Sequence, residues 1–470
     1  MRYVSTRGEA PPLDFVEVTL AGLARDGGLY VPESWPRMSQ QAIAKFAGRL
    51  YAEVALEVIR PFVGDAIALS ELSRMVREAY GSFRHPAIVP IVQLSANNFM
   101  LELFHGPTLA FKDVAMQLLA RLMDHALAAR GERTTVVVAT SGDTGGAAVE
   151  AFRGRARADV FVLFPAGRIS EVQRRMMTTP EDENVFALAV EGTFDDCQAI
   201  VKSMFNHHAF RDRVRLSGVN SINWARIVAQ VVYYFTAATT LGAPHRKVAF
   251  TVPTGNFGDV YAGYVAARMG LPIDRLVIAT NVNDILVRTL ATGVYELRDV
   301  TPTSSPSMDI QVPSNFERLL FDACHRDSKA VRALMNSLAQ SRRFSVSSGA
   351  LSEIRALFSA DRADEGETAA TIRTVLRETG RLIDPHTAVG VAVAEKEVRD
   401  PAMPMIVLGT AHPAKFPDAV EAACGERPSL PDWLDDLPTR RERVTAMPAD
   451  QAAVERFISS ASRAAQGAAA

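Results

Sequence analysis

Six short runs rich in β-branched residues, alternating with longer segments of helical spacing, constrain this chain more than any other sequence feature. Such alternation is typical of βαβ units, whose strands form parallel sheets covered by helices on both faces. Before the first run, apolar residues recur at three- and four-residue spacing from Ala115 to Leu127, which predicts a helix over 113–130. We therefore predict an α/β fold with doubly wound parallel sheets. The runs are TTVVVAT (134–140), VFVLFPA (160–166), VFALAV (185–190), KVAFTVP (247–253), RLVIAT (275–280) and PMIVLGT (404–410).

The length of 470 residues favours two or three domains. We predict a small, mainly helical N-terminal domain over 1–95, followed by two α/β domains over 96–235 and 236–470. Within the last one, the stretch from about 300 to 375 begins with a loop signal and continues in charged helical pieces without strands. The alanine-rich end, SASRAAQGAAA (460–470), is expected to be frayed.

Charge and cysteine content exclude several classes of protein. Lys and Arg number 51 against 53 Asp and Glu, so the net charge of −2 predicts neither a nucleic acid nor a membrane as partner. Three cysteines, Cys197, Cys324 and Cys424, lack metal-ligand spacing, so no metal is expected. No segment approaches the roughly 20 apolar residues that span a bilayer, and the first residues do not resemble a signal peptide. We therefore predict a cytoplasmic protein.

A lysine at the start of the helix over 113–130 is the first candidate for chemistry. Lys112 lies in HGPTLAFKDVAMQ (105–117), after a Gly-Pro turn. The positive end of a helix dipole favours a neutral amine, and a lysine that forms a Schiff base must lose its proton. The alternative is an ordinary solvated pair of Lys112 with Asp113, which the local sequence favours about equally.

Three further turns follow predicted strands directly, where open parallel sheets bind ligands. SGDTGG (141–146) brings backbone N–H groups and hydroxyls to a helix start, a geometry that binds anions, although plain helix capping would also explain its polar residues. TGNFGD (254–259) resembles a phosphate cradle but lacks the fingerprints of dinucleotide-binding and P-loop proteins. In GTAHPAK (409–415), Thr410 offers a hydroxyl and Lys415 a cation for a second phosphate.

Together these segments resemble the threonine synthase family, in the branch shared by bacteria and fungi. The resemblance extends in order over nearly the whole chain. It includes RYVSTRG (2–8), DGGLYVPE (26–33), NSINWARIVAQ (220–230), PTGNFGDVYAG (253–263), ATNVND (279–284), SMDIQVPSNFERLL (307–320), DPHTAVG (384–390) and GTAHPAKFPD (409–418).

The resemblance implies a fold of the tryptophan-synthase-β type, with pyridoxal 5'-phosphate (PLP) held between the two α/β domains. It implies that Lys112 forms the Schiff base with the cofactor and that Thr410 contacts the pyridine nitrogen, which a hydroxyl leaves largely unprotonated. Asp143 is expected near the 3'-oxygen of the cofactor. The remaining implied cofactor contacts are Phe111 and Asn256 along the ring, and Gly255, Asn256, Phe257, Gly258 and Asp259 around the phosphate.

The implied reaction converts O-phospho-L-homoserine and water to L-threonine and phosphate, by γ-elimination followed by addition of water at the β-carbon. Lys112 would remove the α-proton and then a β-proton. The α-carboxylate of the substrate is expected at Ser141, Gly142 and Thr144. For its phosphate the candidates are Lys415, then Arg7 and Arg226, and the enzyme is expected to be a monomer or a homodimer.

Other interpretations of the sequence remain open. A PLP-dependent phospholyase or serine/threonine dehydratase would share the lysine and the cradle but release a 2-oxo acid. A non-catalytic binding protein on the same fold is an alternative of another class, although Lys112, the glycines and Thr410 are all present. Asn223 and Trp224 have structural roles about as readily as substrate contacts.

Overall fold

The computed structural model describes residues 1–466, and the N-terminal part is mainly helical, as predicted. Two amphipathic helices bury their apolar faces in a shared core, which accounts for the apolar spacing in their sequences. The buried residues include Val54, Val58, Leu72 and Val76. The elements of this part are β1 (Tyr3–Ser5), α1 (Phe15–Ala21), β2 (Tyr30–Pro32), α2 (Gln40–Ala44), α3 (Tyr51–Val63) and α4 (Leu69–Tyr80).

A parallel sheet forms the centre of the next part of the chain. Its strand order is β15-β7-β6-β5-β8, so the last strand of the chain lies at one edge. Val136 and Val138 face one apolar cluster while Val137 faces another, because helices cover both sides of the sheet. The elements of this part are β3 (Ile91–Ser95), β4 (Asn98–Glu102), α5 (Lys112–Arg130), β5 (Thr134–Ala139), α6 (Asp143–Phe152), β6 (Ala158–Pro165), α7 (Glu171–Thr178), β7 (Val185–Glu191), α8 (Phe194–Asn206), α9 (His208–Arg213), β8 (Leu216–Ser217) and α10 (Trp224–Thr240).

A second sheet has six strands in the order β13-β10-β9-β14-β4-β3 and is parallel except for the β3–β4 hairpin. The two sheets with their helices confirm the predicted α/β class. The remaining elements are β9 (Val248–Pro253), α11 (Gly258–Arg268), β10 (Ile273–Thr280), α12 (Ile285–Thr292), β11 (Val294–Glu296), α13 (Phe316–Ala323), α14 (Ser328–Ser341), β12 (Arg343–Ser345), α15 (Ser348–Leu357), β13 (Phe358–Arg362), α16 (Glu365–Thr379), α17 (Pro385–Lys396), β14 (Met405–Gly409), α18 (Pro417–Cys424), β15 (Thr445–Pro448), α19 (Gln451–Ala461) and α20 (Arg463–Gln466), with short 3₁₀ turns at Pro306–Met308, Pro413–Lys415, Asp432–Leu434 and Leu437–Thr439.

The stretch from 300 to 375 contains strands, so the prediction that it lacks them is wrong. β12 pairs with β11, and β13 is an edge strand of the six-stranded sheet. The sequence of β13, FSADR, is short and largely polar because one side of an edge strand faces solvent, and it therefore lacks an apolar signature.

The two sheets do not follow the consecutive segments 96–235 and 236–470. The β3–β4 hairpin (91–102) joins the six-stranded sheet, whereas β15 (445–448) joins the sheet of β5 to β8. The division into domains at 95 and 235 remains a prediction, but the chain crosses between the sheets near both of its ends.

The end of the chain is ordered further than predicted. Ser462 is buried and shares a hydrogen bond of 2.7 Å with Thr135, and Arg463 forms an ion pair of 2.6 Å with the buried Asp159. The expectation of a frayed end at 460–470 is therefore wrong for 460–466, and residues 467–470 lie outside the described part. Over residues 1–466, no helix combines the length and apolarity needed to cross a membrane.

Candidate active site

Loops at the carboxyl ends of strands from both sheets converge on the start of helix α5. The loop before α5 pairs with the loop after β14, through an isolated bridge between Ala110 and Ala411. The Phe111 N–H donates to the Thr410 carbonyl at 2.8 Å. This pairing brings two of the four predicted motifs, the lysine segment and the Thr410 segment, into direct contact.

Lys112 is buried at the first residue of α5, beside a carboxylate from the second motif. Its Nζ lies 3.4 Å from Oδ2 of Asp143, at the start of α6, and 4.7 Å from the ring centre of Phe111. The other oxygen of Asp143, Oδ1, receives Nζ of Lys415 at 2.9 Å and Nε2 of Gln173 at 2.8 Å. The alternative, a surface pair of Lys112 with Asp113, is not formed, because Asp113 is buried and accepts hydrogen bonds from Thr108.

The electrostatics of this cluster lower the pKa of the Lys112 amine and that of the Asp143 carboxyl. Burial lowers the pKa of the Lys112 amine, and the positive charges of Lys415 and Arg226 act in the same direction against the attraction of Asp143. Burial alone would raise the pKa of Asp143, but Lys415 and Lys112 outweigh it and hold that pKa well below its usual range. A lysine that must be uncharged to attack an aldehyde is thus in a suitable environment.

The turn before α6 has free donors at a helix N-terminus. Thr140 Oγ1 accepts from the N–H groups of Gly142 and Gly145, both at 2.9 Å, which fixes the turn. Gly142 has φ of +141°, and a Cβ there would lie 2.3 Å from the Gln173 side chain, so glycine is required. Within residues 1–466, the N–H groups of Ser141, Asp143 and Thr144 have no acceptor, so this turn can bind an anion.

The turn before α11 is a second cradle of free donors. Within the described residues, the N–H groups of Gly255, Asn256, Phe257 and Gly258 have no acceptor. A Cβ on Gly255 would lie 2.3 Å from the Ser307 carbonyl. Phe257 adopts the left-handed conformation with φ of +65°, and its side chain packs in the core against Phe316 and Phe358, so only its backbone faces the turn.

Asp259, at the end of this cradle, connects it electrostatically to the lysine. Burial raises the pKa of Asp259 to about 6, and the charges of Lys112 and Arg226 oppose that rise. Its Oδ1 accepts from the Val260 N–H at 2.9 Å. The buried lysine and the second cradle therefore belong to the same site.

Thr410 lies buried at the end of β14, and its hydroxyl has no hydrogen-bond partner among the described residues. Its N–H donates to Thr387 Oγ1 at 3.2 Å, and Thr387 in turn donates to Asp384. The free hydroxyl beside the lysine segment can contact a ring nitrogen.

The predicted arginines lie in different surroundings. Arg226, on α10, is buried, donates to the Val219 carbonyl at 3.1 Å, and has an Nε without a partner among the described residues. Its charge reaches both Lys112 and Asp259. Arg7 is instead held in a bidentate pair with Glu317, at 3.1 and 2.9 Å, and is not among the charges that act on Lys112.

Two residues of the site are not among those predicted from the sequence, although Asp384 begins the segment DPHTAVG. Gln173, from α7, contacts Asp143, and Asp384, at the N-cap of α17, supports Thr410 through Thr387. The contacts Gln173–Asp143 and Thr387–Thr410 join residues 30 and 23 positions apart, whereas Asp384 and Thr387 are only 3 positions apart. Asn223 caps α10 and also bonds the Thr19 carbonyl at 2.9 Å, and Trp224 is fully buried, so both have structural roles.

The groups of this site fit PLP. A buried amine of lowered pKa matches its aldehyde, four free N–H groups match its phosphate, and a free threonine hydroxyl matches its ring nitrogen. Fold and site together define a PLP-dependent enzyme, and a family model described as "Pyridoxal-phosphate dependent enzyme" matches residues 88–356. Models described as "Threonine synthase N terminus" and "Threonine synthase, C-terminal" match residues 2–80 and 387–458.

Comparison with known proteins shows to which family of PLP-dependent enzymes the chain belongs. Threonine synthase of Pseudomonas aeruginosa is 53% identical over 460 residues, which cover 98% of this chain and 98% of that protein. The crystal structure of PLP-bound threonine synthase from Brucella melitensis has a TM-score of 0.96 at 62% identity, covering 98% of this chain and 100% of that chain. For threonine synthase from yeast the TM-score is 0.93 at 39% identity, with 98% of both chains covered. The chain belongs to the threonine synthase family, which confirms the resemblance, the PLP cofactor and a PLP-dependent lyase.

Proposed function

We propose that this enzyme converts O-phospho-L-homoserine and water to L-threonine and phosphate, the last step of threonine biosynthesis. The observation that carries the proposal is the buried Lys112 amine, 3.4 Å from Asp143 and coupled in charge to Asp259 of the second cradle. The membership of the threonine synthase family supports the choice of reaction.

The residues proposed to hold the cofactor come from all four motifs. Lys112 would bind its aldehyde carbon, and the cradle from Gly255 to Asp259 its phosphate. Thr410 would contact the ring nitrogen, Asp143 would lie near the 3'-oxygen, and Phe111 and Asn256 would line the ring. Bound there, PLP supplies an electron sink that stabilises negative charge on carbon next to the substrate nitrogen.

Lys112 is proposed to carry the protons of the reaction. Its amine can accept one proton at a time, first from Cα of the substrate and, after that proton has been given up, from Cβ, and it can donate a proton to Cα at the end. Over the whole reaction, the Cγ–O bond to phosphate breaks and Cγ gains a proton. Cβ loses a proton and gains the hydroxyl of water, whose remaining proton leaves with the phosphate. Burial of Lys112 disfavours the charged form of its amine and so lowers its pKa.

Substrate binding is proposed to use the first free turn. Ser141, Gly142 and Thr144 would hold the α-carboxylate, because the N–H groups of Ser141 and Thr144 have no acceptor among the described residues. For the substrate phosphate, Arg226 is the candidate with an unpartnered buried Nε, whereas Arg7 is already paired with Glu317. Lys415 has a different environment, because its amine contacts Asp143 and the Thr108 carbonyl.

Replacing Lys112 by Ala tests the proposal. We expect the visible absorbance of the bound cofactor to be lost and threonine formation to fall by about 10³-fold or more, because both need this amine. Absorbance and threonine would be measured on the same samples, with Lys247→Ala, a change in an exposed lysine, as the control. Unchanged threonine formation by the Lys112 variant would contradict the assignment.

The products distinguish the alternatives. A phospholyase or a serine/threonine dehydratase would release a 2-oxo acid from the same substrate, whereas the proposed reaction releases threonine and phosphate in equal amounts. Detection of a 2-oxo acid without threonine would favour the former. Absence of any cofactor absorbance after addition of PLP would favour a non-catalytic binding protein.

Compartment and assembly are also proposals. We place the enzyme in the cytoplasm as a monomer or homodimer, which is supported by three unpaired thiols that suit a reducing compartment. Cell fractionation and light scattering would test the two statements.

A further inference from the structure

The amine of Lys415 points into the protein. Lys415 is fully buried on the 3₁₀ turn Pro413–Lys415, and its Nζ donates to the Thr108 carbonyl at 2.6 Å and to Asp143 Oδ1 at 2.9 Å. Its backbone carbonyl is fixed by Ser170 Oγ at 3.0 Å. Two internal acceptors thus orient a cation that the sequence suggested for the substrate phosphate.

Two lysines share the single carboxylate of Asp143, and they share it unequally. Oδ1 receives Lys415 at 2.9 Å and Gln173 at 2.8 Å, whereas Oδ2 receives only Lys112, at 3.4 Å. Arg226 adds a further positive charge that acts on Lys112. A buried carboxylate needs one counter-ion, and the shorter contact gives that role to Lys415.

Lys112 and Lys415 therefore compete for the negative charge of Asp143, and Asp259 is the other buried carboxyl on which the charge of Lys112 acts. With Lys415 present, a proton on Lys112 would place two buried ammonium groups beside one carboxylate, which is unfavourable in a low-dielectric interior. Without Lys415, the charge of Asp143 would be left to Lys112, and the protonated amine would be stabilised.

We propose that Lys415 is a positioning residue that neutralises and orients Asp143, so that the Lys112 amine stays uncharged, and that it does not bind the substrate phosphate. The inference rests on the proposed role of Lys112. The loop after β14 would then have two roles in the site: Thr410 supplies a hydroxyl, and Lys415 helps to keep the Lys112 amine unprotonated.

The test measures the free amine of Lys112 in the full-length protein from which the cofactor has been removed with hydroxylamine. An amine-reactive acylating reagent labels the lysine over a range of pH, and mass spectrometry of the Lys112 peptide gives the midpoint. In Lys415→Met we expect that midpoint to rise by about one pH unit or more, so that labelling below the midpoint slows about tenfold. Lys247→Met, which removes an exposed lysine paired with Asp274, should leave the midpoint unchanged.

A double variant tests the route of the effect. In Lys415→Met combined with Asp143→Asn the competing carboxylate is gone, and the midpoint should return to the wild-type value or fall below it. Thermal unfolding of each sample shows whether it is folded. If Lys415→Met does not fold, Lys415→Gln, which can still donate to the Thr108 carbonyl, takes its place.

The two possible roles of Lys415 give opposite results. An unchanged Lys112 midpoint in a folded variant would overturn the proposal, and a raised KM for O-phospho-L-homoserine in that variant would assign Lys415 to the phosphate instead. Because labelling needs neither substrate nor turnover, this outcome is separate from a failure of the proposed function, which would appear as absence of threonine from the wild-type enzyme.

Discussion

At the scale of single residues, the cradle proposed for the cofactor phosphate depends on the absence of side-chain atoms at its glycines. Gly255 approaches the Ser307 carbonyl so closely that a Cβ would lie 2.3 Å from it, whereas a Cβ on Gly258 would meet no atom nearer than 3.5 Å. A side chain at position 255 would therefore clash with the backbone, whereas position 258 has room for a Cβ. The backbone at Gly255 is the one that a methyl group would displace.

Exchange of these glycines for alanine separates the two cases. We expect Gly255→Ala to weaken PLP binding about tenfold or more, because relieving a clash in a packed site typically costs about 1–3 kcal/mol. Gly258→Ala is the matched control and should change the affinity by less than about threefold. Titration of the cofactor-free protein with PLP, followed by absorbance, measures both. Equal affinities of the two variants would contradict this account of the cradle.

The buried carboxyl of Asp259 predicts a dependence of stability on pH. Burial raises its pKa from 3.8 to about 6, so between these values the folded state binds more protons than the unfolded state. Its contribution is fully present below pH 3.8 and is lost as pH rises through about 6, an effect of up to about 3 kcal/mol.

Asp259→Asn removes this titration. Relative to the wild type, the cofactor-free variant should gain melting temperature as pH rises from 4 to 7, while Asp196→Asn, at an exposed helix cap, should show no such relative gain. Parallel pH profiles of Asp259→Asn and the wild type would show that this carboxyl does not titrate in the range.

At the scale of elements, the N-terminus of α17 supports two parts of the site from behind. Asp384 is fully buried and accepts from His386 Nδ1 at 2.7 Å and from the Thr387 side chain. His386 Nε2 then accepts from the Ser307 N–H at 3.2 Å, next to Gly255, and Thr387 accepts from the Thr410 N–H. One carboxylate thus links the loop of Thr410 to the loop behind the phosphate cradle.

Asp384→Asn should disturb both loops. Asp364, the exposed N-cap of α16, provides a control with the same capping role. Because Asn caps a helix about as well as Asp, the change of cap alone should cost little stability in either variant. Only Asp384→Asn should also shift the absorbance of bound PLP and weaken its binding about tenfold, as measured by spectra and titration. Identical spectra in both variants would limit Asp384 to capping.

The sequence predicts strands well where both faces of the strand are buried. It predicts them poorly where a short strand forms only because it pairs with a neighbouring strand. All six apolar runs are strands, and the turns after three of them carry the free donors of the site. β8 has two residues and β15 four, and neither is apolar enough to be seen without its partner strand. Gln173 could not be assigned because its partner Asp143 lies on another helix, and the role of Asp384 could not be assigned because its link to Thr410 runs through Thr387 in the folded chain.

At the scale of the whole molecule, the end of the chain completes the first sheet. Helix α19 packs Val454 and Ile458 against the cluster that contains Val137, Phe161 and Leu188. The strand before it, β15, pairs with β7. The last elements of the chain therefore stabilise the sheet that positions Asp143, although they lie far from it in sequence.

Ile458→Ala should lower the free energy of unfolding by about 2–5 kcal/mol, because it leaves a cavity beside the sheet. Arg456→Ala, at an exposed position of the same helix, should change it by no more than about 0.5 kcal/mol. Denaturant unfolding measures both, and the spectrum of bound PLP should be unaltered. A negligible effect of Ile458→Ala would mean that α19 does not contribute to this core.

The crossing of the chain between its sheets also sets an order of events on the ribosome. β14 (405–409) lies between β4 and β9, so the hairpin of residues 91–102 has no neighbour in its sheet until more than 300 further residues have been made. One edge of β7 likewise stays unpaired until residues 445–448 have been made. The nascent chain must therefore carry unpaired strand edges through most of its synthesis, which makes chaperone protection most important during that interval.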